Sequence, residues 1–212
     1  MSVSTVDFAS LLCSRLCHDL LSPVGALNNG LELMADETDP DMRQRCFELL
    51  EQSARTSANK LKFFRLAFGS AGGYGETITT QEARSAIEGI INERTALGWL
   101  IESPDLPKLP VKVMLNLALV AVDAMVRGGQ LDIGAERNAD GIEIVVRGAG
   151  DKIVVDPDIQ SALQGAIADD DISARTAAAA MTHKLATQTG GQLMVSNENN
   201  LLLLGAFIPN KA

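Results

Sequence analysis

Aromatic residues are scarce in this chain of 212 residues, which holds six phenylalanines, one tyrosine and one tryptophan. The sequence also lacks an uninterrupted apolar run of about 18 residues, so we expect no membrane-spanning helix. It begins with neither a basic segment nor an apolar one, so we expect no secretory signal peptide. Its three cysteines are an odd number, which favours free thiols and a location in the reducing cytoplasm.

Positive charge is also in short supply. Eighteen lysines and arginines face 27 aspartates and glutamates, and the formal net charge is −9 at pH 7. Because such a chain repels phosphate backbones and anionic lipid headgroups, we expect neither nucleic acid nor a membrane as its partner. Hydrophobic residues nevertheless make up 46% of the sequence, which is enough to bury the core of a globular protein.

A first amphipathic helix is predicted over residues 11–34, where apolar residues recur at intervals of three and four. One face of this helix carries Cys13, Leu16, Leu20, Val24, Leu27, Leu31 and Met34. The opposite face carries Ser14, His18, Ser22, Gly25 and Asn29. We therefore expect His18 to point away from the apolar stripe.

A second helix is predicted after a short acidic turn. Asp39 suits the N-cap and Pro40 the first helical position, and apolar residues then recur at helical spacing up to Phe68. Two long helices joined by so short a turn form an antiparallel hairpin. One hairpin cannot cover its own apolar face, so either a second copy completes a four-helix bundle or the rest of the chain covers it.

The pattern changes after the glycine-rich stretch 69–76, which marks a linker or a domain boundary. We predict an α+β second half with a mostly antiparallel sheet. Asp140-Gly141 and the closing segment 192–208 each indicate a β-hairpin. The predicted helices span residues 80–95, 111–126, 156–166 and 173–188.

His18 offers the most evident chemistry in the first half. A neutral imidazole is a nucleophile, and a solvent-facing one beside a carboxylate suits a phosphate acceptor that another protein must reach. Asp19 is placed to orient the ring and to favour the tautomer with one nitrogen free to attack. Pro23 has no N–H for the carbonyl of Asp19, so we expect a kink one turn beyond His18. The spacing alone is equally consistent with an ordinary surface histidine.

A zinc site is the other chemistry to weigh here, because Cys13 and Cys17 lie four residues apart beside His18. His18 faces away from Cys13, however, and no fourth ligand is close in sequence. We therefore expect no metal and assign the thiols of Cys13, Cys17 and Cys46 to the core. His183, in an alanine-rich segment, is interpreted as structural.

The segment CHDLLSPVGAL resembles the H-box of histidine kinases, usually written H-E/D-L-R-x-P. Four positions match, namely His18, Asp19, Leu20 and Pro23. Leu21 stands where arginine is common. The predicted hairpin accordingly resembles the dimerisation and histidine-phosphotransfer domain of those kinases.

The second half is similar to the ATP-binding domain of the same kinases but departs from it at essential positions. MLNLALVAVDAM resembles the N-box, yet Val120 stands at the position of the asparagine that binds magnesium. VRGAG aligns with the D-x-G-x-G box, yet Val146 stands at the position of the adenine-reading aspartate. SARTAAAAM lacks the phosphate-contacting glycines of the lid. Without these groups we expect no nucleotide binding.

An intact phosphoacceptor beside a degenerate kinase domain is typical of one group. Over nearly its full length the chain resembles the ChpT-type histidine phosphotransferases of alphaproteobacteria. The resemblance implies a helical hairpin for dimerisation and phosphotransfer (1–70), a linker (71–76) and a degenerate histidine-kinase-like ATPase α/β sandwich domain (77–212). The fold class is therefore α+β, with the hairpin expected to form a dimeric four-helix bundle.

The resemblance also implies a function in a cell-cycle phosphorelay. His18 would accept a phosphoryl group from the phospho-aspartate of a hybrid kinase receiver domain and pass it to response regulators, with Asp19 orienting its ring. Arg15, Ser22 and Asn29 would help to dock these partners. The chain itself would need no cofactor, because Mg²⁺ would come with the acidic pocket of the receiver.

Two other hypotheses stay open. The chain could be an active histidine kinase with an unusual ATP site, which failure to bind ATP would dismiss. It could instead be a non-enzymatic dimeric adaptor that docks receiver domains without accepting phosphate. An adaptor would keep its function in a His18→Gln variant, whereas a phosphotransferase would lose it.

Overall fold

Two long helices open the chain. The computed structural model describes residues 4–69 and 76–210, and in it α1 spans Thr5–Asp36 and α2 spans Pro40–Ala67. Both predicted helices are present. The first begins earlier and ends later than the periodic stretch 11–34 indicates.

Side-chain caps fix where both helices begin. The hydroxyl of Ser4 accepts a hydrogen bond from the backbone N–H of Asp7 at 3.1 Å and caps α1. The carboxylate of Asp39 caps α2, and Pro40 occupies its first turn, where no backbone N–H is needed. This N-cap is the one that the sequence predicted.

The two helices run antiparallel, as predicted. Gly30 of α1 packs against Leu50 of α2 so closely that a Cβ atom there would lie 2.8 Å from a Leu50 methyl group. Asp19, which comes before Gly30 in α1, lies beside Lys60, which comes after Leu50 in α2. Paired positions therefore move in opposite directions along the two helices.

An apolar stripe of the hairpin stays uncovered within one chain. Val24 and Leu31 of α1 are 51% and 60% exposed, and Phe47 and Leu61 of α2 are 53% and 51% exposed. The inner side of α1 is rotated away from the predicted face, and its most buried members are Pro23 and Gly30. The rest of the described chain does not cover this stripe.

The prediction that all three cysteines lie in the core is wrong for two of them. Cys46 is buried, but Cys13 and Cys17 are exposed in the single chain. Both belong to the side of α1 that turns away from α2. Among residues 4–69 and 76–210, no three histidine, cysteine, aspartate or glutamate side chains are grouped so that they could hold a metal ion.

The second domain is an α+β unit with one main sheet. Its five strands have the order β2-β4-β5-β7-β6, in which β2 pairs parallel to β4 and all other pairs are antiparallel. Two short strands, β1 and β3, form a separate antiparallel pair that the sequence did not predict. The strands are β1 (Thr77–Thr79), β2 (Thr95–Trp99), β3 (Asp105–Pro107), β4 (Gly129–Arg137), β5 (Gly141–Ala149), β6 (Gln192–Glu198) and β7 (Leu201–Pro209).

Four helices accompany this sheet, and each lies within a predicted helical segment or overlaps it. The first is shorter than predicted, since it ends before Gly89 and the chain then turns into β2. A short 3-10 turn, Asp169–Asp171, precedes the last helix. The helices are α3 (Thr80–Glu88), α4 (Lys108–Ala124), α5 (Pro157–Leu163) and α6 (Ala177–Thr187).

Both predicted β-hairpins are present. The first joins β4 to β5 at Asp140-Gly141, where the side chain of Asn138 accepts hydrogen bonds from both backbone N–H groups. The second joins β6 to β7 through Asn199 and Asn200, which have φ angles of 53° and 58°. Asparagine tolerates this left-handed region, and two such residues in succession suit a tight hairpin turn.

The hairpin and the second domain share one hydrophobic core. Phe63, Phe64, Leu66 and Ala67, at the end of α2, are at most 3% exposed and belong to the same buried cluster as α4 and the sheet. Asn116 of α4 donates a hydrogen bond to the carbonyl of Ala67 at 3.2 Å. The core therefore crosses the boundary predicted at residue 70, while residues 71–75 of the predicted linker lie outside the described residues.

Among the helices that the structure describes, none is both long and apolar enough to span a bilayer.

Candidate phosphoacceptor site

His18 stands on the open side of α1. Its side chain is 86% exposed, and its Nδ1 lies 3.4 Å from Oδ1 of Asp19. When Nδ1 carries the proton and faces this carboxylate, Nε2 holds the free lone pair and points away from Asp19. The imidazole is therefore accessible, as the sequence predicted, and one of its ring nitrogens faces the carboxylate of Asp19.

Arg15 ties Asp19 to the second domain. Its Nε donates to Oδ2 of Asp19 at 2.8 Å, and its Nη2 donates to Oδ2 of Asp123 on α4 at 2.7 Å. Burial works against the charge of Arg15, but the charges and hydrogen bonds of Asp123 and Asp19 outweigh it and raise the pKa of the guanidinium. Arg15 therefore keeps its charge and bridges the two carboxylates.

The sequence placed Arg15 among the docking residues, and the structure gives it a different place. Its side chain is only 14% exposed and both of its contacts are within the chain. Asp123 was not predicted as a site residue at all. Asp123 lies within the N-box-like segment, and that was the only sign in the sequence that it could matter. Nothing in that segment indicated a contact with α1, which lies more than 100 residues earlier.

Lys60 of α2 contacts the backbone of α1 at the residue next to His18. Its Nζ donates to the backbone carbonyl of Asp19 at 2.9 Å. The regular donor to this carbonyl would be the N–H of residue 23, but Pro23 has none. The helix continues through Pro23, and the lysine satisfies the acceptor that the proline leaves free. Sequence reasoning missed Lys60, although the proline gave the signal for an unpaired carbonyl.

Ser22 and Asn29 are exposed on α1, on the same side as His18. Ser22 follows His18 by one helical turn. Asn29 is three turns away, about 16 Å along the axis, and borders a cleft at the end of α1 with Glu32 and Glu37. Of the two, Ser22 is the residue that lies beside the phosphoacceptor.

The positions that diverge from an ATP site lie in packed surroundings. Val120 on α4 is 6% exposed and Val146 on β5 is fully buried. A Cβ atom on Gly148 would lie 3.2 Å from the sulfur of Met125, so this glycine serves the packing of β5 against the end of α4. A valine offers neither an acceptor for an adenine amino group nor a ligand for Mg²⁺.

A cleft of about 420 Å³ remains between α4 and α5. Its charged lining residues are paired with each other, Arg15 with Asp123 and Arg175 with Asp156 at 2.7 Å. His183, by contrast, lies away from this cleft, and its Nδ1 is 2.9 Å from the carbonyl of Leu163. This contact suits the structural role predicted for His183.

Comparison with known proteins agrees with this geometry. A family model described as the histidine phosphotransferase C-terminal domain matches residues 80–200. The chain is 36% identical over 196 residues to the protein phosphotransferase ChpT of Brucella abortus (strain 2308), covering 92% of each chain. It is also similar to the solved structure of a bacterial phosphotransferase, with a TM-score of 0.85, 31% identity and coverage of 97% of this chain and 98% of that one.

The family model covers more than half of the chain, and the similarity to the two relatives extends over the hairpin that carries His18. The α+β architecture, a long helical hairpin followed by a mixed-sheet domain, extends over the same residues. The chain therefore belongs to the histidine phosphotransferases and functions as a phosphotransferase in a phosphorelay.

Proposed function

We propose that His18 is the residue that carries the phosphoryl group. Its Nε2 attacks the phosphorus of a phospho-aspartate on the receiver domain of a hybrid kinase, the N–P bond forms as the P–O bond breaks, and the aspartate leaves as a carboxylate. The same steps in reverse then transfer the group to the aspartate of a response regulator. The 86% exposure of His18 beside Asp19 is the observation that carries this proposal.

Asp19 orients the imidazole and balances its charge. As Nε2 takes up the phosphoryl group, the ring becomes positively charged while Nδ1 still holds its proton, and Oδ1 of Asp19 lies 3.4 Å from that atom. The second oxygen of the carboxylate is held by Arg15, so Asp19 cannot turn freely. Catalysis here consists of positioning and electrostatic stabilisation, which are the main needs of phosphoryl transfer.

The protein acts as a homodimer. Two copies of the uncovered stripe on α1 and α2 would bury one another and complete a four-helix bundle. The exposed side chains of Val24, Leu31, Phe47 and Leu61 support this assembly, because they lie along the stripe and are apolar. His18 lies on another side of α1, so pairing leaves it open to a receiver domain.

Transfer uses no cofactor of this chain. Val120 and Val146 support this proposal, since they supply no nucleotide contact. Mg²⁺ belongs to the acidic pocket of the receiver domain, and the second domain serves to recognise the regulators of a cell-cycle relay. Ser22 and Asn29 contribute to docking from α1.

A phosphotransfer time course tests the proposal. The purified protein and its His18→Gln variant are each mixed with a radiolabelled phospho-receiver, and ATP alone forms a separate arm. We expect label on the wild type only and from the receiver only. Label from ATP alone would indicate a kinase. Receiver binding without label in any arm would indicate an adaptor.

A further inference from the structure

We propose that Lys60 is a positioning residue for phosphotransfer, which holds α1 in place at the phosphoacceptor through a carbonyl that Pro23 leaves free. The proposal rests on the function proposed above, because it concerns transfer through His18. Lys60 does not contact the phosphoryl group in this proposal. It acts through the backbone of Asp19, the residue next to His18.

The argument begins with the hydrogen bonds of the helix itself. In an α-helix each carbonyl accepts from the N–H four residues later, and a proline removes that donor. The carbonyl of Asp19 is the acceptor that Pro23 leaves without its regular partner. Nζ of Lys60 lies 2.9 Å from this oxygen, and a charged donor makes a stronger bond than a backbone amide.

This contact holds a residue of α1 that is also held from another direction. Arg15 binds the carboxylate of Asp19 and links it to Asp123 on α4. Lys60 binds the carbonyl of Asp19 and links it to α2. Asp19 is thus fixed against both the hairpin partner and the second domain.

His18 depends on these anchors because it is 86% exposed and has little packing of its own. The position of its ring follows from the backbone of α1 and from Asp19. Transfer between two proteins requires the attacking nitrogen in line with the breaking bond, and displacements of about 1 Å cost up to ~100-fold in rate. Loss of Lys60 therefore slows the transfer step more than it weakens receiver binding.

The test measures single-turnover transfer from a radiolabelled phospho-receiver at increasing receiver concentration. We expect Lys60→Met to lower the saturating rate about tenfold and to change the half-saturating concentration by less than about twofold. Lys60→Arg should recover most of the rate, since it keeps a charged donor. Lys62→Met is the matched control, because it removes the same charge from an exposed position of α2 and should transfer within about twofold of wild type.

A Pro23→Ala background tests whether Lys60 acts through the backbone carbonyl of Asp19. Alanine restores the N–H that bonds this oxygen, so Lys60→Met should slow transfer by less than about twofold in that background. Thermal unfolding followed by circular dichroism shows that each variant is folded, and Lys60→Gln replaces the methionine variant if that one is not. Wild-type rates in Lys60→Met, or the same tenfold loss in both backgrounds, would overturn the proposal. If the wild-type protein itself acquires no label from the phospho-receiver, both the proposed function and the proposed role of Lys60 are overturned.

Discussion

Three oxygen atoms of Asp19 each contact a different neighbouring side chain. Oδ1 faces the ring of His18, Oδ2 accepts from Arg15, and the backbone carbonyl accepts from Lys60. Its side chain is only 16% exposed although His18 beside it is almost fully exposed. At the residue scale the candidate site is therefore one exposed imidazole beside one carboxylate that its neighbours hold in place.

Replacing Asp19 by asparagine tests this arrangement. The amide keeps the shape of the side chain but removes the charge that faces the ring and Arg15, so we expect the single-turnover transfer rate to fall about 100-fold. Asp36→Asn, at the far end of α1, is the control and should transfer at the wild-type rate. A wild-type rate in Asp19→Asn would show that this carboxylate does not assist His18.

At the scale of helices, two of the exposed apolar residues of α1, Leu31 and Leu33, differ in what they face. Leu31 is 60% exposed on the uncovered stripe, and Leu33 is 65% exposed on the other side of the helix, two residues later. In a four-helix bundle of two chains, Leu31 becomes buried and Leu33 stays in solvent. Substitutions at these two positions therefore distinguish an effect on the proposed interface from a general effect of removing an exposed apolar side chain.

Leu31→Glu should therefore weaken the proposed dimer. A charge placed in the bundle core has no partner, and we expect the dissociation constant to rise about 100-fold. Light scattering behind size-exclusion chromatography measures the mass as a function of concentration. Leu33→Glu should remain dimeric. Equal masses for the two variants would contradict an interface along this stripe.

The bridge between α1 and α4 is a second feature at this scale. Arg15 is 14% exposed and Asp123 is 44% exposed, so the solvent screens part of their attraction. A double-mutant cycle with Arg15→Gln and Asp123→Asn should give a coupling free energy of about 0.5–1 kcal/mol in urea unfolding. Additive effects would mean that the bridge does not stabilise the contact between the helices.

At the scale of the whole molecule, the shared core predicts that the hairpin and the second domain unfold together. Asn116 is 1% exposed and its amide joins α4 to the carbonyl of Ala67, the last residue of α2. Asn116→Ala should lower the free energy of unfolding by about 2 kcal/mol, because it leaves the carbonyl of Ala67 buried without this donor. Asn28→Ala, an exposed change on α1, is the control, and two separate transitions for the wild type would contradict a single cooperative core.

Much of the fold could be predicted from local patterns. The N-cap at Asp39 and the turn at Asp140-Gly141 are where the sequence indicates them, since each depends on a few neighbouring residues, whereas the helix predicted to reach residue 95 ends at Glu88. The α+β class and the exposure of His18 were also confirmed. Wrong assignments concern the burial of Cys13 and Cys17, because apolar spacing does not show which part of a wide apolar face the partner helix covers.

The sequence by itself determined the helical hairpin and the position of the H-box-like segment around His18, because each is contained in a short stretch of residues. The loss of an ATP site stays a prediction from the same kind of local pattern. Only the tertiary structure decided what surrounds Asp19. Lys60 is 41 residues from it and Asp123 is linked to it through Arg15 across 108 residues. These contacts depend on how α2 and α4 pack against α1, and no local pattern specifies that packing.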